Sequence, residues 1–251
     1  MITKVKTADE IAAMREGGKM LATVLGVLRD KVAVGMTSAD LSAIAKSELN
    51  KLGGKPAFLG YGGFPDVLCV SINEEVVHGI PTKKRMIQEG DIVSLDFGVL
   101  HKNLITDAAI SVIVGNVKDP RDIELVNATK KSLEAGLRTI KNGTPIGTIG
   151  SAVQGVLERS RLGIVQEFVG HGVGHQLHEE PGIPNYGFSG EGFVLRSGMT
   201  IAVEPMATLG DASVFIADDG WTVITRDRKR SAHFEHSVLV TDDGFEILTE
   251  L

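Results

Sequence analysis

Two stretches of the chain decide its fold: Gly90-Asp-Ile-Val-Ser-Leu-Asp96 and Gly198-Met-Thr-Ile-Ala-Val-Glu204. Each opens on glycine, runs through apolar residues over a strand's length and ends on a carboxylate. A carboxylate there is costly to bury unless it is paired, hydrogen-bonded or bound to a cation. The two lie 108 residues apart, and a similar offset relates their surroundings. Gly35-Met36-Thr37 opens a helix ending in Glu48-Leu-Asn-Lys-Leu-Gly53, and Gly143-Thr144-Pro145 opens one ending in Glu158-Arg-Ser-Arg-Leu-Gly163. His78-Gly-Ile-Pro81 is loosely matched by His178-Glu-Glu-Pro181. Each match is weak, but their common order carries weight. The offset is too long for a solenoid. It describes an α+β chain whose two pseudo-symmetric α-α-β-β halves, about 7–115 and 118–251, pack around a pseudo-two-fold axis as a single domain. A site between the halves would receive one carboxylate strand from each.

The helices are signalled locally. Thr7 and Glu10 form a T-x-x-E capping box before Ile11, Met14, Leu21, Leu25 and Leu28 at helical spacing. A second helix starts at Thr37, carries Leu41, Ile44, Ala45, Leu49 and Leu52, and stops at Gly53-Gly54. A third starts at Asp119-Pro120, an N-cap followed by proline, with Val126, Leu133, Leu137 and Ile140 as its stripe. A fourth starts at Thr144-Pro145 and carries Ile149, Val153, Val156 and Leu157. Runs rich in Val and Ile predict strands over 67–72, 91–99, 107–114, 164–169, 200–204 and 236–240.

Composition bounds the function. With 251 residues, 43% of them hydrophobic, the chain can bury a sizeable core. A net charge of −6 argues against a nucleic-acid partner, whose binders present a basic face. The basic run 226–230 reads as a solvated loop. A single cysteine, Cys69, excludes an internal disulfide and fits a reducing compartment. No apolar targeting segment opens the chain, and no apolar window of about 18 residues spans a membrane. A cytoplasmic protein without a membrane partner is expected.

Two more acids share the predicament of Asp96 and Glu204. Asp107 stands between Leu104-Ile-Thr and Ala108-Ala-Ile, and Glu235 precedes the strand-like Ser237-Val-Leu-Val240. Any one of the four could end a strand in water; together they point to a shared cation site. Gly170-His171-Gly-Val-Gly-His175 adds a histidine where glycines let the backbone approach a ligand closely. HExxH is absent, and these glycines argue against a zincin helix. Asp96, Asp107, His171, Glu204 and Glu235 form a hard, oxygen-rich set suited to divalent Co, Mn, Fe or Zn. Four carboxylates exceed the charge of one such ion, so two divalent metal ions are expected. A pair about 3.5–4 Å apart lowers the pKa of a shared water toward neutrality.

The segments Ser71-Ile-Asn-Glu74 to His78-Gly-Ile-Pro81, Gly170-His171-Gly-Val-Gly174, His178-Glu-Glu-Pro181, Met199-Thr-Ile-Ala-Val-Glu-Pro205, Asp219-Gly-Trp-Thr222 and Ser231-Ala-His-Phe-Glu-His236 together resemble type I methionine aminopeptidases over about residues 8–250. The resemblance implies the pita-bread fold, with a curved, mainly antiparallel sheet. It implies hydrolytic removal of N-terminal methionine from nascent polypeptides at the ribosome exit, with a small second residue favoured, by a monomer. In that scheme Asp96 chelates one metal, His171 and Glu204 bind the other, and Asp107 and Glu235 bridge both. A hydroxide between the metals attacks the first peptide bond, and Glu204 relays its proton. His178 polarises the scissile carbonyl and stabilises the oxyanion. His78 lies near the backbone nitrogen of the substrate. Phe58, Tyr61, Phe64, Cys69, Leu177 and Trp221 surround the methionine side chain, whose thioether suits aromatic rings. Phe58 stands where many members carry cysteine, and Leu177 where many carry an aromatic ring; the two changes are expected to offset in volume. The run His101-Lys-Asn-Leu-Ile-Thr-Asp107 lacks the glycine often found just before the second acid, which leaves the loop geometry at Asp107 open.

Three rivals compete. A Xaa-Pro aminopeptidase or prolidase shares the resemblance but generally carries a further N-terminal domain. A non-catalytic, ribosome-associated binding protein would be expected to lose metal ligands, whereas all five candidates stand. A mononuclear iron oxygenase could recruit His171, His175 and Glu204, leaving Asp96 and Asp107 unexplained.

Overall fold

The structure, a computed structural model, describes residues 3–250. Helices α1 (Ala8–Lys31) and α2 (Ser38–Leu52) lead into β1 (Lys55–Pro56), β2 (Cys69–Ile72), β3 (Glu75–Val77), β4 (Ile92–His101) and β5 (Leu104–Ile113). Helices α3 (Pro120–Leu137) and α4 (Ile146–Arg159) lead into β6 (Gly163–Ile164), β7 (Gly170–Gly172), β8 (Glu179–Ile183), β9 (Thr200–Val203) and β10 (Met206–Thr208). The chain continues through β11 (Val214–Ile216), β12 (Val223–Thr225), β13 (Ser231–His233), β14 (Glu235–Val240) and β15 (Phe245–Ile247).

Local chemistry starts and stops the helices. Reciprocal capping boxes open α1 at Thr7 with Glu10 and α2 at Thr37 with Asp40. Asp119 caps α3 ahead of Pro120. Gly53, with φ of 78°, closes α2 in the left-handed region that glycine adopts without strain. The helix expected from Thr144 begins at Ile146, because the Thr144 hydroxyl is engaged with the backbone of Lys141 and Thr139.

The repeat is visible in backbone pairing. Thr37 pairs with Met86, and Pro145 pairs with Val194, both partners displaced by 108 positions. The neighbouring bonds from Ile87 N–H to the Met36 carbonyl and from Leu195 N–H to the Thr144 carbonyl repeat at the same offset.

One antiparallel sheet joins both repeats in the order β1-β4-β5-β14-β9-β7-β8, with β2 also on β4 and β15 also on β14. One face of it packs on the helices. Val93, Leu95, Phe97 and Val99 of β4 enter a core with Leu21, Leu25 and Leu28 of α1 and Leu41, Ala45 and Leu49 of α2. Ile201 and Val203 of β9 enter another with Leu133 and Leu137 of α3 and Ile149 of α4. Side chains alternate along a strand, so the residues between these point to the opposite face.

Three expectations change. The strand expected over 164–169 is split: Gly163–Ile164 pairs with β10, whereas Gly170–Gly172 joins the main sheet. Between them Gln166 is exposed and Glu167 turns out to solvent, which breaks the run. The strand expected from Asp107 starts three residues earlier, at Leu104. The two-residue turn Lys102-Asn103, both at positive φ, lets His101 pair with Leu104 and carries Asp107 into the middle of β5. The basic run is not simply solvated: Arg230 donates to the Gly90 carbonyl and pairs with buried Asp122, and Arg226 and Arg228 lie over the Phe215 ring. No described helix is long and apolar enough to cross a membrane.

Candidate metal centre

Five adjacent strands each bring one of the five expected ligand residues to one face of the sheet. Asp96 on β4 and Glu235 on β14 both pair with Ala109 of β5, so they share its face, as does Asp107 two residues away. On β9, Val203 pairs with His236, so Glu204 at the strand's end lies level with Glu235; His171 of β7 pairs with Ala202, two residues before Glu204. All five therefore face away from the helices, and all five line one cavity of about 440 Å³. Donor atoms of Asp107, His171 and Glu235 lie within 4.8 Å of one another.

The backbone beneath them is clamped. Ser237 Oγ accepts from Asp107 N–H at 2.9 Å and donates to the Asp107 carbonyl at 2.8 Å. Buried Asn185 donates to the Glu204 carbonyl at 3.0 Å. His171 Nδ1 lies 2.9 Å from the Gly172 carbonyl, which can only accept. The Nδ1 therefore carries the proton, and Nε2 turns its lone pair toward Glu204 Oε1 at 3.5 Å. A ring nitrogen donating to a carbonyl is the usual support of a metal-binding imidazole.

Three of the four carboxylates of this face leave an oxygen without a partner among the described residues. Asp96 Oδ1, Asp107 Oδ1 and Glu235 Oε1 are buried without a hydrogen-bond partner there. Burial, followed by the neighbouring carboxylates, pushes Asp107 and Glu235 well above the usual carboxylate range, and burial raises Asp96 and Glu204 too. Burial holds His171 down at about 3, so its imidazole is neutral and able to donate a lone pair. Orphaned oxygens crowded beside a neutral imidazole fit divalent cations, which supply both charge balance and coordination.

The expected substrate residues line the same cavity: Phe58, Tyr61, Phe64, Cys69, His78, Leu177, His178 and Trp221. Phe58, Phe64, Cys69 and Leu177 form a buried apolar cluster against Trp221. His78 sits at φ of 60°, a left-handed conformation rare outside glycine, with its ring edge-on to Phe168 and Trp221. Burial lowers its pKa to about 4. The His178 ring stands edge-on to that of His171 at 4.4 Å. Sequence reasoning missed two residues here. Phe168 lines the cavity, but its run looked like an ordinary strand. His233 lies inside a recognised motif, yet only its tertiary position sets it beside Glu204 and Glu235, with donor atoms within 4.8 Å of each other.

Residues 12–242 match the family described as metallopeptidase family M24. The chain is 42% identical over 246 residues to methionine aminopeptidase 1 of Bacillus subtilis, covering 98% of each. It superposes on the crystal structure of methionine aminopeptidase from Thermotoga maritima with a TM-score of 0.98 at 45% identity, covering all of both chains. The prolidase of Pyrococcus furiosus shares the fold, with a TM-score of 0.79 at 20% identity over 98% of this chain and 65% of that one.

Proposed function

The chain belongs to metallopeptidase family M24, and we propose from this premise that it is a methionyl aminopeptidase, removing N-terminal methionine from peptides and nascent proteins with a small second residue favoured. The observation that carries the reading is the row of five ligand-type side chains on five adjacent strands, opening onto an apolar pocket ringed by aromatic side chains. The pita-bread fold is the one such metallopeptidases share.

Within this reading Asp96 would hold one cation and His171 and Glu204 a second, with Asp107 and Glu235 available to both. Two cations are the number that balances four carboxylates. Bound divalent cations polarise water and bring its pKa toward neutrality. Glu204 accepts the proton released as water attacks. His178 faces the scissile carbonyl and stabilises its developing negative charge. His78 stands by the substrate's backbone nitrogen. Phe58, Tyr61, Phe64, Cys69, Leu177 and Trp221 enclose the methionine side chain. The same reading has the chain meet its substrates as they leave the ribosome in the cytoplasm, and act as a monomer, since one chain supplies every ligand.

The test is methionine release from Met-Ala-Ser after chelation and metal add-back, with Ala-Pro-Ala as the rival substrate. Methionine release should require metal and vanish in Asp96→Ala and Glu204→Ala, as a loss in kcat rather than a rise in KM. Cleavage of Ala-Pro-Ala in preference to Met-Ala-Ser would transfer the chain to the Xaa-Pro peptidases.

A further inference from the structure

His233 is buried to 1% exposure, and neither of its ring nitrogens has a hydrogen-bond partner among the described residues. Its backbone is held on both sides by one residue. Ser111 Oγ accepts from His233 N–H at 2.9 Å and donates to the His233 carbonyl at 2.8 Å, with Ser94 Oγ 2.6 Å behind it. The ring so placed sets Nε2 3.5 Å from Glu204 Oε2. The other oxygen of that carboxylate, Oε1, faces His171 Nε2 at the same distance. Glu204 is therefore bracketed by two imidazoles, one at each oxygen.

The two imidazoles differ in what lies behind them. His171 has a carbonyl at Nδ1, which leaves its Nε2 as the bare nitrogen. His233 Nδ1 has no hydrogen-bond partner among the described residues. Were His233 a metal ligand through Nε2, its proton would sit on Nδ1 as a buried donor without an acceptor, a costly arrangement. A bare Nδ1 leaves only an unsatisfied acceptor, which folded proteins tolerate more readily than an orphaned N–H. The proton then sits on Nε2, the nitrogen nearest the carboxylate. His233 also does not line the substrate cavity, unlike the five ligand candidates.

We infer that His233 is a positioning residue of the metal centre, donating Nε2–H to Glu204 Oε2 so that Oε1 is presented beside His171. The inference rests on the metallopeptidase reading above. With the carboxylate held by a cation, the inferred bond would require the present 3.5 Å separation to shorten to hydrogen-bond length. An orienting partner of this kind typically contributes about 10–100-fold in metal affinity.

Two measurements on the intact chain test it. Long-range 1H–15N NMR of histidine-labelled, zinc-loaded protein should report His233 protonated at Nε2 and bare at Nδ1. Cobalt(II) titration, followed in the visible spectrum, should find H233Q within about threefold of the parent, because its amide N–H replaces the donor, and H233L weakened about 10–100-fold. Zinc on Nε2 with the proton on Nδ1 would make His233 a ligand and overturn the inference. So would H233L binding cobalt as tightly as the parent, or H233Q failing as H233L does. Should H233L not fold, the tautomer of the unaltered protein and the H233Q titration still decide. A parent that takes up neither metal would sink the metallopeptidase reading itself, whereas a reversed tautomer in a loaded parent sinks only this inference.

Discussion

The Tyr61 hydroxyl lies 2.9 Å from Nδ1 of His178, with the two rings 5.2 Å apart and nearly perpendicular. Burial lowers the pKa of His178, which favours the neutral ring. A phenol donating to Nδ1 places the remaining ring proton on Nε2, where it can reach a substrate carbonyl. Tyr61 thus does more than wall the pocket. Tyr61→Phe keeps the ring and deletes only this bond, which is worth about 0.5–1.5 kcal/mol. The expected result is a fall in kcat of about three- to tenfold with KM for methionyl peptides little changed. A variant that alters KM alone would reduce Tyr61 to a pocket wall.

Phe58 and Leu177 should act as a pair. The Phe58 ring lies against Gly98 so closely that a Cβ at position 98 would come within 2.5 Å of it, and its edge meets Phe64, which meets Trp221 in turn. Leu177 packs in the same buried cluster. Phe58→Cys opens a void in that cluster, and Leu177→Phe overfills it, each at a cost of about 1–3 kcal/mol. The double variant should recover kcat/KM on Met-Ala-Ser to within about threefold of the parent, while each single variant loses about tenfold. Additive losses in the double variant would show that the two side chains do not compensate. A parent preference for Leu-Ala over Met-Ala would show that the pocket is not built for methionine.

These residues also show what the sequence could and could not reveal. The four acids were legible because a charge in an apolar run is anomalous wherever the strand goes. The capping boxes at Thr7 and Thr37 are complete within four residues, so the helices needed no tertiary knowledge. The strands β10 to β13 have three residues each, too few for a period, and exist only through partners distant in the chain, as Met206 does through His233. The strand expected from Asp107 starts earlier, at Leu104, and the turn before it was hidden because no glycine marks it; Lys102 and Asn103 adopt positive φ instead. His233 had no signal of its own, because its meaning comes from Glu204, which lies on another strand's end.

Cation removal should reverse the pH dependence of stability expected of an ordinary acidic protein. Without cations, burial holds Asp96 up at about 7 and Glu204 at about 8, with Asp107 and Glu235 raised well above normal by burial and by each other's charge. A carboxyl whose folded pKa exceeds its unfolded value favours the fold while protonated, and that contribution is lost as pH rises through the folded value. The chelated protein should therefore melt at a lower temperature at pH 9 than at pH 6, by roughly 2–4 °C per kcal/mol lost in a chain of this size. Cation add-back should remove most of the difference, because charge balance no longer depends on protons. Melting curves in chelator that stay level or climb between pH 6 and pH 9 would contradict the crowding of these carboxylates.

The N-terminal segment should govern the loop that carries His178. Lys6 Nζ lies 3.4 Å from Glu179 Oε2, both side chains being fully buried, and donates to Thr3 Oγ1 at 3.0 Å. The other Glu179 oxygen accepts from Gln176 N–H at 2.9 Å, closing the turn that holds Leu177 and His178. Lys6→Met strands a buried carboxylate and should cost about 3–5 kcal/mol of stability, since removing one member of a buried pair leaves the other charge uncompensated. Adding Glu179→Gln removes that charge but keeps an oxygen for Gln176 N–H, so the double variant should regain most of the loss in urea unfolding. Its kcat should recover in parallel, because the turn that aims His178 is restored. A Lys6→Met protein that unfolds within about 0.5 kcal/mol of the parent, the range of an ordinary surface substitution, would mean that the ion pair does not hold this loop.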